Sequence, residues 1–128
     1  MSRDVASFVV AASEARQDYT GPDISNPSYR GARFYFDVTA AASTLAFPVF
    51  KIQGKIVGTT KYHTFFTLSG TTVQVQTMKA LLYPGVSTAS TLYADVRSDF
   101  LPKVWRIAST NTGTTGTVTW SASVDLIG

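Results

Sequence analysis

Eight carboxylates, one histidine and no cysteine are the chain's supply of acid–base and metal-ligating groups. A metal site takes three or four ligands. His63 has no second histidine or cysteine to join it, so it reads as a surface or packed strand residue. A glycosidase needs two carboxylates facing each other across a cleft, at about 5–10 Å. The carboxylates are Asp4, Glu14, Asp18, Asp23, Asp37, Asp95, Asp99 and Asp125. Asp95 and Asp99 would pair if their segment were helical, but loop solvation and capping are the simpler reading. Asp37 shares a strand face with Arg33 and Tyr35, and an ion pair with Lys51 or Lys55 on a neighbouring strand is its expected role. There is no G-x-S-x-G elbow and no glycine-rich phosphate loop. The sequence therefore offers no catalytic, cofactor-binding or metal-binding set, and a non-enzymatic protein is expected.

Two tryptophans could act as sugar platforms. Trp120 lies on an apolar stripe and is expected in the core, whereas the face of Trp105 is open from sequence. Tyr29, Tyr62, Tyr83 and Tyr93 fall near turns or loop ends, where a half-exposed ring suits an interface. The eleven Lys and Arg residues give a net charge of +3 and form no block. Direct nucleic-acid binding is not expected, because such binders cluster their cations.

Strands must position whatever these residues do. In residues 32–40, Ala32, Phe34, Phe36, Val38 and Ala40 alternate with polar neighbours, the period-2 pattern of a half-buried strand. Residues 47–57 follow, with Phe50, Ile52, Gly54 and Ile56 on one face, and Gly58-Thr59-Thr60 as a turn. Residues 62–68 put Tyr62, Thr64, Phe66 and Leu68 on one face. Residues 72–83 end at Pro84-Gly85, a turn dipeptide. Residues 86–101 read as a long loop with at most a short helix, since Pro102 disfavours helix before it. Residues 104–108 and 117–127 are strands, the latter with Val118, Trp120, Ala122, Val124 and Leu126 as a clean stripe. Residues 111–116 form a polar turn. Residues 5–12 and 14–19 read as two further strands. About seven to eight strands without an amphipathic helix predict an all-β antiparallel sandwich or jelly-roll-like domain. It would be one domain over residues 1–128, with 1–4 as a flexible arm. With 45% hydrophobic and 15% charged residues, the chain can build a core and is not of disordered composition. No apolar run reaches the length of a membrane-spanning helix, and the first residues lack a secretory h-region. Synthesis in a cytoplasm, away from any membrane, is expected.

Four ordered segments carry a family resemblance. They are residues 30–40 (RGARFYFDVTA), 50–55 (FKIQGK), Tyr83-Pro84-Gly85, and 101–106 (LPKVWR). In this order and spacing the chain resembles small virion structural proteins of tailed bacteriophages, over residues 29–127. It departs after Lys55, where the relatives often carry an Asp-Pro-x-Ser-Gly-Lys-type turn and this chain has residues 56–61 (IVGTTK). The resemblance implies a place in a bacteriophage virion made in the bacterial cytoplasm. Capsid decoration (cement) is the leading role, with head–tail joining or a tail component as alternatives. It implies the major capsid protein or other virion proteins as partners, and self-association, for instance as a trimer. A glycan- or receptor-binding module is the reading from another class, and it would need exposed aromatics around Trp105 or Tyr93. The residues expected at an interface are Tyr29, Arg30, Leu92, Tyr93, Val96, Arg97 and Phe100.

Overall fold

The computed structural model describes residues 5–26, 28–41, 47–69, 76–91, 94–112 and 117–128. The strand segments are β1 (Val5–Arg16), β2 (Tyr19–Thr20), β3 (Ile24–Ser25), β4 (Gly31–Ala41), β5 (Phe47–Lys55), β6 (Tyr62–Ser69), β7 (Gln76–Leu82), β8 (Ala89–Thr91), β9 (Ala94–Arg97), β10 (Val104–Thr112) and β11 (Val118–Ile127). They form two sheets, one ordered β1-β11-β4-β7-β9-β8 and the other β2-β10-β5-β6, with β3 also on β10. This is the expected all-β sandwich with more strands than the seven to eight anticipated. Two causes account for the excess. β2 and β3 are the two paired ends of a single edge interrupted by Gly21 and Pro22, and proline cannot donate to a ladder. The 86–101 stretch supplies β8 and β9 in place of a loop or helical turn. β8 runs back antiparallel to β9, which lets β9 pair parallel with β7 over a short connection. Asp95 and Asp99 therefore do not share a helical face.

The alternation sets the core directly. In β11, Val118, Trp120, Ala122, Val124 and Leu126 are buried and every intervening residue is half-buried. In β4, Ala32, Phe34, Phe36 and Val38 are at most 1% exposed. In β10, Trp105, Ile107 and Ser109 point inward, so Trp105 is fully buried and its face is settled. Aromatic rings interlock from sheet to sheet. Phe36 stacks on Phe50 at 4.3 Å, Trp120 meets Phe50 edge-on at 4.9 Å, and Phe34 meets Trp105 edge-on at 5.4 Å. These offset and T-shaped arrangements favour the ring quadrupoles beyond the area they bury.

Bulges explain where simple alternation misleads. β1 is one strand, not two: its pairing with β11 shifts between Val9 and Ala11 and again between Ala11 and Glu14. An extra residue flips every side chain beyond it to the other face. In β4, Val38 pairs with Trp120 but Ala40 pairs with Thr119, so Thr39 is the extra residue and Ala40 is exposed, off the core stripe expected of it. In β6, Ile52 pairs with Phe66 but Gln53 pairs with Thr64, leaving Phe65 as the extra residue. Phe66 and Leu68 face the core, while Thr64 bonds the outward Gln53 side chain at 3.0 Å. The four residues expected on one face of β6 are thus split.

At the end of the sandwich where β1 finishes, Arg16 covers the core. Its guanidinium lies 4.3 Å from the Trp120 ring and 4.8 Å from the Tyr19 ring, and donates to the carbonyls of Trp120 (2.8 Å) and Ala12 (2.5 Å). Replacing Phe50 by alanine removes the ring that touches both Phe36 and Trp120. Phe50→Ala should cost about 3–5 kcal/mol in urea unfolding, and a loss under about 1 kcal/mol would contradict this packing.

Candidate interaction end

The opposite end of the sandwich carries the exposed apolar surface. Among the described residues the exposed large hydrophobics are Val9, Ile56, Val57 and Phe100, and the last three sit at this end. β5 and β6 meet there through a tight turn. Gly58 has φ +79°, a conformation that L side chains rarely adopt. The Ile56 amide donates to the Lys61 carbonyl (2.9 Å), the Thr59 amide to the Ile56 carbonyl (3.1 Å), and the Lys61 amide to the Thr59 hydroxyl (3.0 Å). The turn lifts Ile56 off the core face expected of it, to 47% exposure, and leaves Val57 88% exposed.

Residues 102–104 lie beside this turn. Gly54 faces inward, and a Cβ there would come within 2.6 Å of the Pro102 ring. The missing side chain is what lets Leu101 and Pro102 close over the core. Asn26 ties the same loop to residues 29–30. Its side-chain amide donates to the carbonyls of Tyr29 (2.8 Å) and Leu101 (3.2 Å), and the Tyr29 amide donates back to Asn26 Oδ1 (2.9 Å). The Leu101 amide donates to the Arg30 carbonyl at 2.8 Å. A groove of about 630 Å³ opens between the turn and residues 102–104, lined by Lys55, Ile56, Val57, Thr59, Pro102 and Lys103 among others.

The structure brings together part of the interface set expected from sequence. Tyr29 is half-buried, Arg30 exposed and Phe100 63% exposed, all at this end. Val96 lies elsewhere, half-buried in a groove of about 390 Å³ with Arg33, Tyr35, Lys79 and Leu81. Leu92 and Tyr93 lie outside the described residues. Arg97 has partners within the fold. It pairs at 3.3 Å with Asp95, whose side chain is only 3% exposed, and lies 5.8 Å from the Phe66 ring. Ile56, Val57, Pro102 and Lys103 were not anticipated. Their signal was an Ile-Val pair placed immediately before a Gly-Thr-Thr turn, where a ladder has to end.

The polar groups are spread over separate places. Asp37 accepts from the Thr77 hydroxyl at 3.0 Å on its own sheet, not from Lys51 or Lys55, because β4 and β5 belong to different sheets. Lys55 instead pairs with Asp23 at 3.7 Å. Asp125 accepts from Ser7 at 2.7 Å. His63 is exposed. Among the described residues no group of three or more His, Cys, Asp or Glu could hold a metal ion. On the outer face of the second sheet, the Tyr62 hydroxyl donates to Asp23 at 2.5 Å, and the Arg106 guanidinium lies 3.4 Å from the Tyr62 ring centre. The hydrogen bond to Asp23 is the main cause that raises the Tyr62 phenol above its ordinary value, with burial and the Asp23 charge adding to it and Arg106 opposing.

No family model matches the chain, and no curated protein matches it. A chain in the solved structure of infectious bursal disease virus Gx strain superposes at TM-score 0.35 with 14% identity. The match covers 99% of this chain and 32% of that one. A superposition this loose carries no functional argument.

Two outcomes test the local chemistry. Arg97→Glu would set two carboxylates together, one of them buried. It should cost on the order of 2–3 kcal/mol in urea unfolding, less than the ~3–5 kcal/mol of a fully buried pair, because the guanidinium is 42% exposed. Unchanged stability would contradict the pairing. Asp23→Asn should return the Tyr62 phenol toward 10.0 in an ultraviolet pH titration. The sign follows from linkage: a raised folded pKa gives stability that is present below the unfolded value and is lost as pH climbs through the folded one. The parent should therefore lose this contribution above pH 10, and a titration unmoved by Asp23→Asn would remove the assigned cause.

Proposed function

We propose that this chain is a non-enzymatic virion structural protein of the capsid-decoration type, attached to a phage head shell through the end that bears Ile56, Val57 and Phe100. One observation carries the reading: a sandwich with a ring-filled core places three of the four large exposed hydrophobics among the described residues, Ile56, Val57 and Phe100, at one end, with Val9 elsewhere. Exposed apolar clusters rimmed by polar residues mark protein contact sites. The four ordered sequence segments support the choice of a virion, and they fall on the framework. Residues 30–40 span β4, residues 50–55 lie in β5, Pro84-Gly85 is a turn with Gly85 at φ +85°, and residues 101–106 seal the core and open β10. The one segment that departs from the relatives, 56–61, is the exposed turn, where partner choice can vary without disturbing the core.

Non-enzymatic function fits the dispersal of the carboxylates, each of Asp23, Asp37, Asp95 and Asp125 being engaged in a separate pairing. Attachment on a repeating shell would need only a modest interface per copy if neighbouring copies also associate, because linked contacts multiply. A glycan-binding module built on Trp105 is disfavoured by the complete burial of that ring.

Copy number per particle tests the reading. Quantitative mass spectrometry of purified particles should return hundreds of copies for a shell protein. On the order of a dozen would move it to a neck ring, and a few to the tail tip. The paired substitution Val57→Asp with Phe100→Asp should lower occupancy while leaving the unfolding midpoint close to that of the parent, since both side chains already face water. Full occupancy in that variant would remove this end as the attachment surface.

A further inference from the structure

The groove beside the 56–61 turn is lined by the apolar residues Ile56, Pro102 and Val104, by the protruding Val57, and by two lysines, Lys55 and Lys103. Lys61 closes the same turn. Lys55 is already paired with Asp23. Lys61 and Lys103 are exposed, and among the described residues neither has a carboxylate at ion-pair distance. The walls are set in advance. The Thr59 hydroxyl donates to the Ile56 carbonyl at 2.8 Å, so one threonine braces the turn from both sides. On the other wall, Pro102 is seated over Gly54 and the Lys103 carbonyl accepts from the Asn26 amide at 2.7 Å. A groove held this way costs little ordering when it is filled.

We propose that this groove docks an acidic, aliphatic-rich segment of the protein to which the chain attaches. The inference rests on the attachment reading and specifies the chemistry of the partner. An aliphatic side chain seated on Ile56 and Pro102 removes apolar surface from water on both partners, at about 25 cal/mol per Å². A carboxylate one or two residues away meets the Lys103 or Lys61 ammonium group, which is otherwise solvated. A bilayer fits less well, because the site is concave and its protruding apolar residue is a valine, where interfacial anchors use Trp and Tyr. Single-stranded nucleic acid fits less well, because among the described residues no aromatic ring lines the groove for base stacking.

The test is an amide NMR titration of the full chain with an end-capped peptide of alternating aspartate and leucine. Saturable shifts are expected at Val57, Thr59 and Lys103. They should weaken several-fold between about 0.05 and about 0.3 M salt, as screened charge pairs do. Lys103→Glu and, separately, Lys61→Glu should each weaken binding, and either variant that keeps the parent's unfolding midpoint suffices. Three results would overturn the inference: no saturable shifts, an equal response to a lysine–leucine peptide, or a stronger response to phosphatidylglycerol vesicles or to oligothymidylate. A silent peptide with normal particle occupancy would overturn the groove alone. A silent peptide with no particle occupancy would overturn the attachment reading as well.

Discussion

Ring-to-ring contact across the two sheets is the constraint on which the rest of the molecule depends. Phe34 and Phe36 of β4 and Trp120 of β11 meet Trp105 of β10 and Phe50 of β5, and each of these rings is at most 1% exposed. The rings fill the space between the sheets, so the interior is packing and not a ligand chamber. The indole N–H groups of Trp105 and Trp120 find no hydrogen-bond partner among the described residues. Each such group costs about 1–3 kcal/mol, a loss set against two of the largest buried side chains in the core. Arg16 covers one end of this ring stack, its charge over Trp120 and Tyr19. Leu101 and Pro102 cover the other.

Closure at that second end has a consequence for function. Gly54 gives up its side chain so that Pro102 can sit over the core, and Asn26 fastens residues 29–30 to the same loop. With the loop held, the β5–β6 turn projects beyond the ladder, and among the described residues little covers Val57, which is 88% exposed. Rigidity and exposure therefore share one origin. For the proposed attachment, a surface that is apolar yet fixed is better suited than a mobile one, because little is lost in ordering it.

Much of this was legible in the residues. The stripes in β4 and β11 needed only a count of every second position, and they named the core except at Ala40, which lies past the β4 bulge. Trp120 followed from its stripe, whereas Trp105 did not, because β10 reads ambiguously until its partner β5 fixes which side is inward. Period-2 counting also failed in β6, where the extra residue Phe65 turns the strand over and no local signal announces it. The 86–101 stretch looked like a loop because β8 and β9 are three and four residues long. Such short strands carry too little pattern to read alone, and they are stable here only because β7 already offers an edge. The exposed apolar end was legible in part. Tyr29, Arg30 and Phe100 were visible as aromatic or charged residues between strands. Ile56 and Val57 were hidden, because apolar residues at the end of an apolar strand look like core until the turn lifts them out.

Hydrogen exchange measured on the free chain and on the particle-bound chain bears on all of this at once. The account predicts slowed exchange confined to residues 56–61 and 98–103, with β4, β10 and β11 slow in both states. Slowing spread over the outer faces of the sheets, with that end unchanged, would contradict it.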